Sequence, residues 1–103
     1  MDKKAKEMAE KPIEINAFLI STQLKNIEIS PEIMQAEYEM TNLWREQGLI
    51  ESLFARVENG NKLGGGILVM RAKTLDEAKS NMAELPLAPY FESVDYIAID
   101  KIY

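Results

Sequence analysis

Glu51, Arg56 and Arg71 are the charged residues of this chain best placed to act on a small molecule. Glu51 lies in a predicted strand; buried there, its pKa would rise toward neutrality and it would serve as a general base. Otherwise it is a solvated strand carboxylate. Arg56 and Arg71 fall near the ends of two strands joined by a hairpin, where a guanidinium can clamp a carboxylate through two parallel hydrogen bonds. Their plainer role is surface pairing with Glu58 or Glu51. Trp44 belongs to the apolar stripe of a predicted helix and is either core or the wall of a pocket that stacks on a planar ligand. Tyr90 sits in a proline-rich loop, where it either closes a pocket or packs against a helix end. Asn16 opposes the apolar parity of the first strand and is a candidate hydrogen-bonding group for a ligand or partner. The acids from Glu32 to Glu39 read as a solvated helix face, with no octahedral ligand set among them.

What is missing narrows the chemistry further. There is no Cys and no His among the 103 residues. Disulfides, zinc-thiolate sites, thiol catalysis and a Ser-His-Asp triad are therefore excluded, and with them the usual haem ligand. Proton transfer falls to carboxylates, Lys, Tyr and Arg, and neither a metal nor another cofactor is expected. The net charge of −5 and a pI near 4.8 oppose nucleic-acid binding, which needs a basic face. No apolar run approaches the ~20 residues that span a bilayer. Met1–Pro12 is charged and lacks the apolar core of a signal peptide, so it reads as a frayed or weakly helical extension of a cytoplasmic protein. Residues 13–103 form the single domain, with 47% hydrophobic and 28% charged residues, the balance of a folded globule.

The elements that must position these groups follow from periodicity and punctuation. Ile13–Thr22 alternates as a strand. Ser30 and Pro31 are an N-cap and a first-turn proline, and Ile33, Ala36, Met40, Leu43, Trp44 and Gln47 then follow helical spacing until Gly48. Leu49–Val57 is a second strand. Asn59-Gly60 signals a hairpin into a third strand, Ile67–Ala72. The three glycines Gly64–Gly66 precede a strand and not a helix, which disfavours a phosphate loop. Thr74-Leu75-Asp76-Glu77 is a capping box for a helix whose buried stripe is Leu75, Ala78, Met82 and Leu85, stopped by Pro86. Val94–Ile99 is the last strand. The order β-α-β-β-α-β predicts an α+β, ferredoxin-like fold.

In that fold both helices cover one sheet face, and the other face should carry polar residues if it meets water. Instead Ile67, Leu68, Val69 and Met70 are apolar on both parities, as are Tyr96, Ile97, Ala98 and Ile99. The expected cover is the same face of a second copy, giving a homodimer; the alternative is the N-terminal segment folding over its own sheet.

The segment Leu85-Pro86-Leu87-Ala88-Pro89-Tyr90, between a predicted helix and the last strand, resembles the muconolactone isomerase-like branch of the dimeric α+β barrel superfamily. Leu43-Trp44-Arg45-Glu46-Gln47-Gly48 and Thr74-Leu75-Asp76-Glu77-Ala78 are similar to that family's helix end and capped second helix. The resemblance spans roughly residues 13–100 and implies a dimer, or an assembly of dimers, with a small-molecule pocket in each subunit. It implies proton-transfer isomerisation of an acidic or lactone substrate. Two readings of other classes stand beside it: a non-catalytic binding module for a small metabolite, and a cofactor-free oxygenase using Asn16, Trp44 and Tyr90 to orient an activated phenol. The YCII family is similar in fold, but its His-Asp chemistry requires a histidine that this chain lacks.

Overall fold

The computed structural model describes residues 3–10 and 13–103. Of the extension Met1–Pro12, residues Met1, Asp2, Lys11 and Pro12 lie outside the described residues, while Lys3–Glu10 form a helix, α1. The domain follows as β1 (Ala17–Leu24), α2 (Pro31–Glu46), β2 (Ile50–Glu58), β3 (Lys62–Arg71), α3 (Leu75–Met82), a 3-10 turn (Ala88–Tyr90) and β4 (Phe91–Ile99). The four strands form one antiparallel sheet in the order β2-β3-β1-β4. This is the ferredoxin-like α+β arrangement expected from the order of elements.

The helix boundaries are set by the capping chemistry written into the sequence. Ser30 Oγ accepts from the Ile33 N–H at 3.3 Å, Pro31 opens α2, and Gly48 follows it at a φ of +75°. Thr74 Oγ accepts from the Glu77 N–H at 3.1 Å. Glu77 returns a bond to the Lys73 N–H at 3.2 Å, one residue before the position the capping box predicts. At the hairpin, Gly60 and Asn61 both take positive φ, as a tight turn between twisted strands requires.

Strand boundaries differ from the sequence expectation according to where a pairing partner exists. Ile13 and Ile15 alternate like strand residues but remain exposed. The β1–β3 ladder begins only at Ala17↔Arg71, and periodicity alone cannot supply a neighbouring strand. Conversely, β3 extends back through the glycines to Lys62, paired to Glu58.

One face of the sheet presents Phe18, Ile20, Leu68 and Met70 to the helices, and these join Trp44, Ile50, Ala78, Met82 and Leu85 in the core. Register places Leu19, Val69, Ile67, Phe54 and Ile97 on the opposite face. There Phe54 is 62% and Ile97 57% exposed. The described side chains of α1 are mostly exposed as well. Among the described residues, no helix is long and apolar enough to cross a membrane.

Candidate functional site

The stripe that α2 turns toward the sheet is Met34, Glu37, Thr41 and Trp44, and these residues form one wall of a cavity of about 140 Å³. The spacing i, i+3, i+7, i+10 puts them on one helical face. The stripe read from the apolar residues alone is rotated from this one: Leu43 and Ala36 are exposed, whereas Thr41 and Trp44 are buried. Opposite, β1 contributes Thr22 and Leu24, and β3 contributes Leu63, Gly65, Gly66 and Leu68. Met82, Leu85, Leu87 and Phe91 close the far end. Leu53 and Leu63, 48% and 45% exposed, form an apolar mouth at edge strand β2.

Among the described residues, Glu37 is the single charged side chain on this wall. One carboxylate oxygen accepts from the Leu87 N–H at 3.0 Å, tying α2 to the loop that follows α3. Burial pushes the Glu37 pKa up, and the Leu87 hydrogen bond opposes part of that rise. A carboxyl group in a mostly apolar setting, with its pKa moved toward neutrality, is suited to exchange protons. Glu37 therefore departs from the solvated helix face on which sequence spacing placed it. The signal that could have found it was its distance of seven residues from Trp44, two turns along the same face.

Thr41 and Thr22 are largely occupied within the fold. The Thr41 hydroxyl donates to the backbone carbonyls of Glu37 and Tyr38 at 2.9 and 3.2 Å, as buried hydroxyls in helices commonly do. Thr22 Oγ accepts from the Gly66 N–H at 2.9 Å and also reaches the Gly66 carbonyl at 3.3 Å. The glycines beside it are structural: Gly65 has φ +149°, and a Cβ there would overlap the Thr22 carbonyl oxygen. No phosphate-binding loop with a helix behind it exists at this position, because Gly64–Gly66 lie inside β3.

Of the residues singled out from the sequence, the structure brings Trp44 to the cavity. Trp44 is only 5% exposed and belongs to both the core and the cavity wall. Tyr90 is absent from the wall; neighbouring Leu87 and Phe91 hold that position, and the Tyr90 carbonyl accepts from the Lys25 N–H at 2.8 Å. Arg56 donates from Nη1 to the Thr22 carbonyl at 3.0 Å, so its guanidinium braces the strands behind the cavity.

Glu51, Asn16 and Arg71 instead meet at a separate open groove across the end of the sheet, together with Lys73, Glu77, Lys101 and Tyr103. Glu51 is exposed and pairs with Lys101 at 2.7 Å. Asn16 donates to Asp100 at 2.6 Å and accepts from the Lys101 N–H at 2.8 Å. These contacts hold the C-terminal residues against β1 and β2. Among the described residues, no cluster of acidic side chains has the geometry to hold a metal ion.

No protein-family model matches the sequence, and no curated protein matches it. Among solved structures, the chain is similar to 5-chloro-2-hydroxyhydroquinone dehydrochlorinase from Burkholderia phenoliruptrix, determined in complex with 2,5-dihydroxybenzoquinone. The match has a TM-score of 0.60 and 18% sequence identity, and covers 82% of this chain and 93% of that one. At that identity the likeness establishes the shared ferredoxin-like α+β fold.

Proposed function

We propose that this protein is a cofactor-free enzyme that moves a proton within a small cyclic carbonyl compound held between α2 and the sheet, a proton-transfer isomerisation of the kind the muconolactone isomerase-like resemblance implies. The observation that carries the reading is Glu37, a carboxyl group with a raised pKa on the wall of a mostly apolar, ring-sized cavity. A cavity of similar volume lined by Leu, Ile and Phe accepts a benzene ring. The dehydrochlorinase that shares the fold was solved with a single-ring compound, which supports a ligand of that size here.

The step assigned to Glu37 is short. Its carboxylate takes a proton from the carbon beside the ligand carbonyl, and the C–H electron pair delocalises onto the carbonyl oxygen as an enolate. Glu37 then returns the proton to a different carbon of the same conjugated system as the carbonyl re-forms. Substrate and product have the same composition, so one carboxyl group suffices. Glu37 replaces Glu51 as the proposed base, because Glu51 is tied to Lys101 outside the cavity.

The experiment is solvent exchange. Unsaturated five- and six-membered lactones and cyclic enones are incubated with the protein in deuterated water, and loss of ring proton signals is followed by NMR. Glu37→Gln is expected to slow exchange by about 10²–10⁴-fold, the usual contribution of a positioned acid-base group. Equal rates for the two proteins would remove Glu37 from the reaction. Binding of the same rings with no exchange in the wild type would favour a non-catalytic binding module.

A homodimer closed through the uncovered sheet face is part of the same proposal. The exposed Phe54 and Ile97 on that face support it, since apolar side chains this size are usually covered when they cluster.

A further inference from the structure

Four side chains with hydrogen-bonding groups line the cavity, and three of them lie on α2. Trp44 is almost wholly buried, yet its indole N–H donates to no described residue. It is not a sealed orphan either, because no buried side-chain nitrogen or oxygen lacks a partner among the described residues. The indole therefore keeps a donor in reach of open space, and Trp44 lines the cavity. Buried tryptophans ordinarily spend that donor on a partner.

At the other end of the stripe, Glu37 is an acceptor with one oxygen engaged by Leu87. Thr41, between them, has its proton committed to backbone carbonyls and offers only lone pairs. Thr22 across the cavity is bound to Gly66. Among the described residues, neither Lys nor Arg lines the cavity.

Seven helical residues separate Glu37 from Trp44, a rise of about 10.5 Å. One six-membered ring with an oxygen function at each end, plus a hydrogen bond at each, covers that span. A carboxylate on such a ring would be buried beside Glu37 with no cation to pair it. Burying an unpaired charge is costly, and two carboxylates in one apolar site cannot both stay ionised.

We propose that the cavity takes an uncharged single-ring compound with oxygens at opposite ends, a hydroxyl that donates to Glu37 and an acceptor that receives the Trp44 N–H, and that it rejects the carboxylate analogue. The proposal rests on the reading of this cavity as the ligand site. It narrows the acidic or lactone class expected from sequence to its uncharged members, because Arg56 is bound to Thr22 and Arg71 lies at the other groove.

The chain has a single Trp, so one indole N–H signal in a proton–nitrogen NMR spectrum reports on this cavity alone. Three probes are titrated at neutral pH: 4-methoxyphenol, 1,4-dimethoxybenzene, which lacks the hydroxyl, and 4-methoxybenzoate. The expected result is a saturable downfield shift of the indole signal with 4-methoxyphenol, at least tenfold tighter than with 4-methoxybenzoate and also tighter than with the dimethoxy compound. In Glu37→Gln, whose fold is checked by the remainder of the same spectrum, the handicap of 4-methoxybenzoate should shrink severalfold. Equal or tighter binding of the benzoate by wild type overturns the proposal, as does an indole signal that none of the three probes moves. Failure of catalysis is separable: 4-methoxyphenol binding in a protein that exchanges no ring protons would sink the enzyme reading and leave this ligand class standing. Exchange by a protein that prefers the benzoate would do the reverse.

Discussion

The Glu37 carboxylate and the Leu87 amide, 50 positions apart in sequence, meet at 3.0 Å and fasten α2 to the loop that leads into β4. Glu37 also lines the cavity, so one side chain anchors the loop and contributes a polar group to the wall. Leu87 itself is buried on that wall. A change in the protonation of Glu37 therefore acts on the ligand site and on the loop beside it together.

That coupling sets a pH dependence with a definite sign. The folded-state pKa of Glu37 is raised above its ordinary value of 4.5, so the folded chain holds the proton more tightly than the unfolded chain. The corresponding stability is fully present below pH 4.5 and is lost as the pH rises through the raised value. Glu37→Gln removes the titration. The difference in Tm between wild type and Glu37→Gln should therefore change with pH above 4.5, wild type losing ground as pH rises. A constant difference from about pH 4 to pH 8 would show that Glu37 is solvated in solution.

Capping of α3 is a separate and more ordinary contribution. Thr74 Oγ satisfies the Glu77 N–H, one of the donors that a helix start leaves without a partner. Thr74→Ala should cost about 1 kcal/mol, read as a lowered midpoint in urea with an unchanged slope. An unaltered midpoint would mean that α3 begins elsewhere.

The glycine run makes a sharper contrast. At Gly65 an added Cβ meets the Thr22 carbonyl oxygen at a φ of +149°, whereas at Gly60, φ +77°, it meets nothing within 4 Å. Gly60→Ala should cost only the left-handed penalty, roughly 1–2 kcal/mol. Gly65→Ala must also part β3 from β1 and should cost more, enough to lower expression as folded protein. Comparable urea midpoints for the two variants would contradict the close approach of these strands.

How much of this was legible in the sequence depends on whether the signal was local. Ser30, Thr74, Gly48 and Asn59-Gly60 act through bonds to near neighbours, so the helices and the hairpin follow from them directly, and the ferredoxin-like order follows in turn. Glu37 was not legible, because apolar counting drew the α2 stripe through Leu43 and Ala36. A helix that borders a cavity carries polar residues on its inward face, and the cavity is a property of packing. The pairing of Glu51 was not legible for the opposite reason: strand parity says which face a residue takes, but not that Lys101 would fold back to pair with it. Leu68 and Val69 were likewise equal in sequence, and only the register with β1 separates the buried Leu68 from Val69 on the open face.

That separation gives the test of the proposed homodimer. Ile97 pairs across from Leu19 on the open face and is 57% exposed in the single chain. In a monomer, Ile97→Asp places a charge at a wet position and should shift stability by no more than about 0.5 kcal/mol. In a face-to-face dimer the two-fold axis makes the interface self-complementary, so each substitution appears on both sides and buries two unpaired carboxylates. Sedimentation at micromolar concentration should therefore show a dimer for wild type and a folded monomer for Ile97→Asp, with near-native circular dichroism. Leu68→Asp is the control for the other face: it should unfold the chain outright, because Leu68 packs under the helices. A wild-type protein that sediments as a monomer would contradict the dimer. So would an Ile97→Asp variant that sediments as wild type does, and in either case the exposed Phe54 and Ile97 would need a different cover.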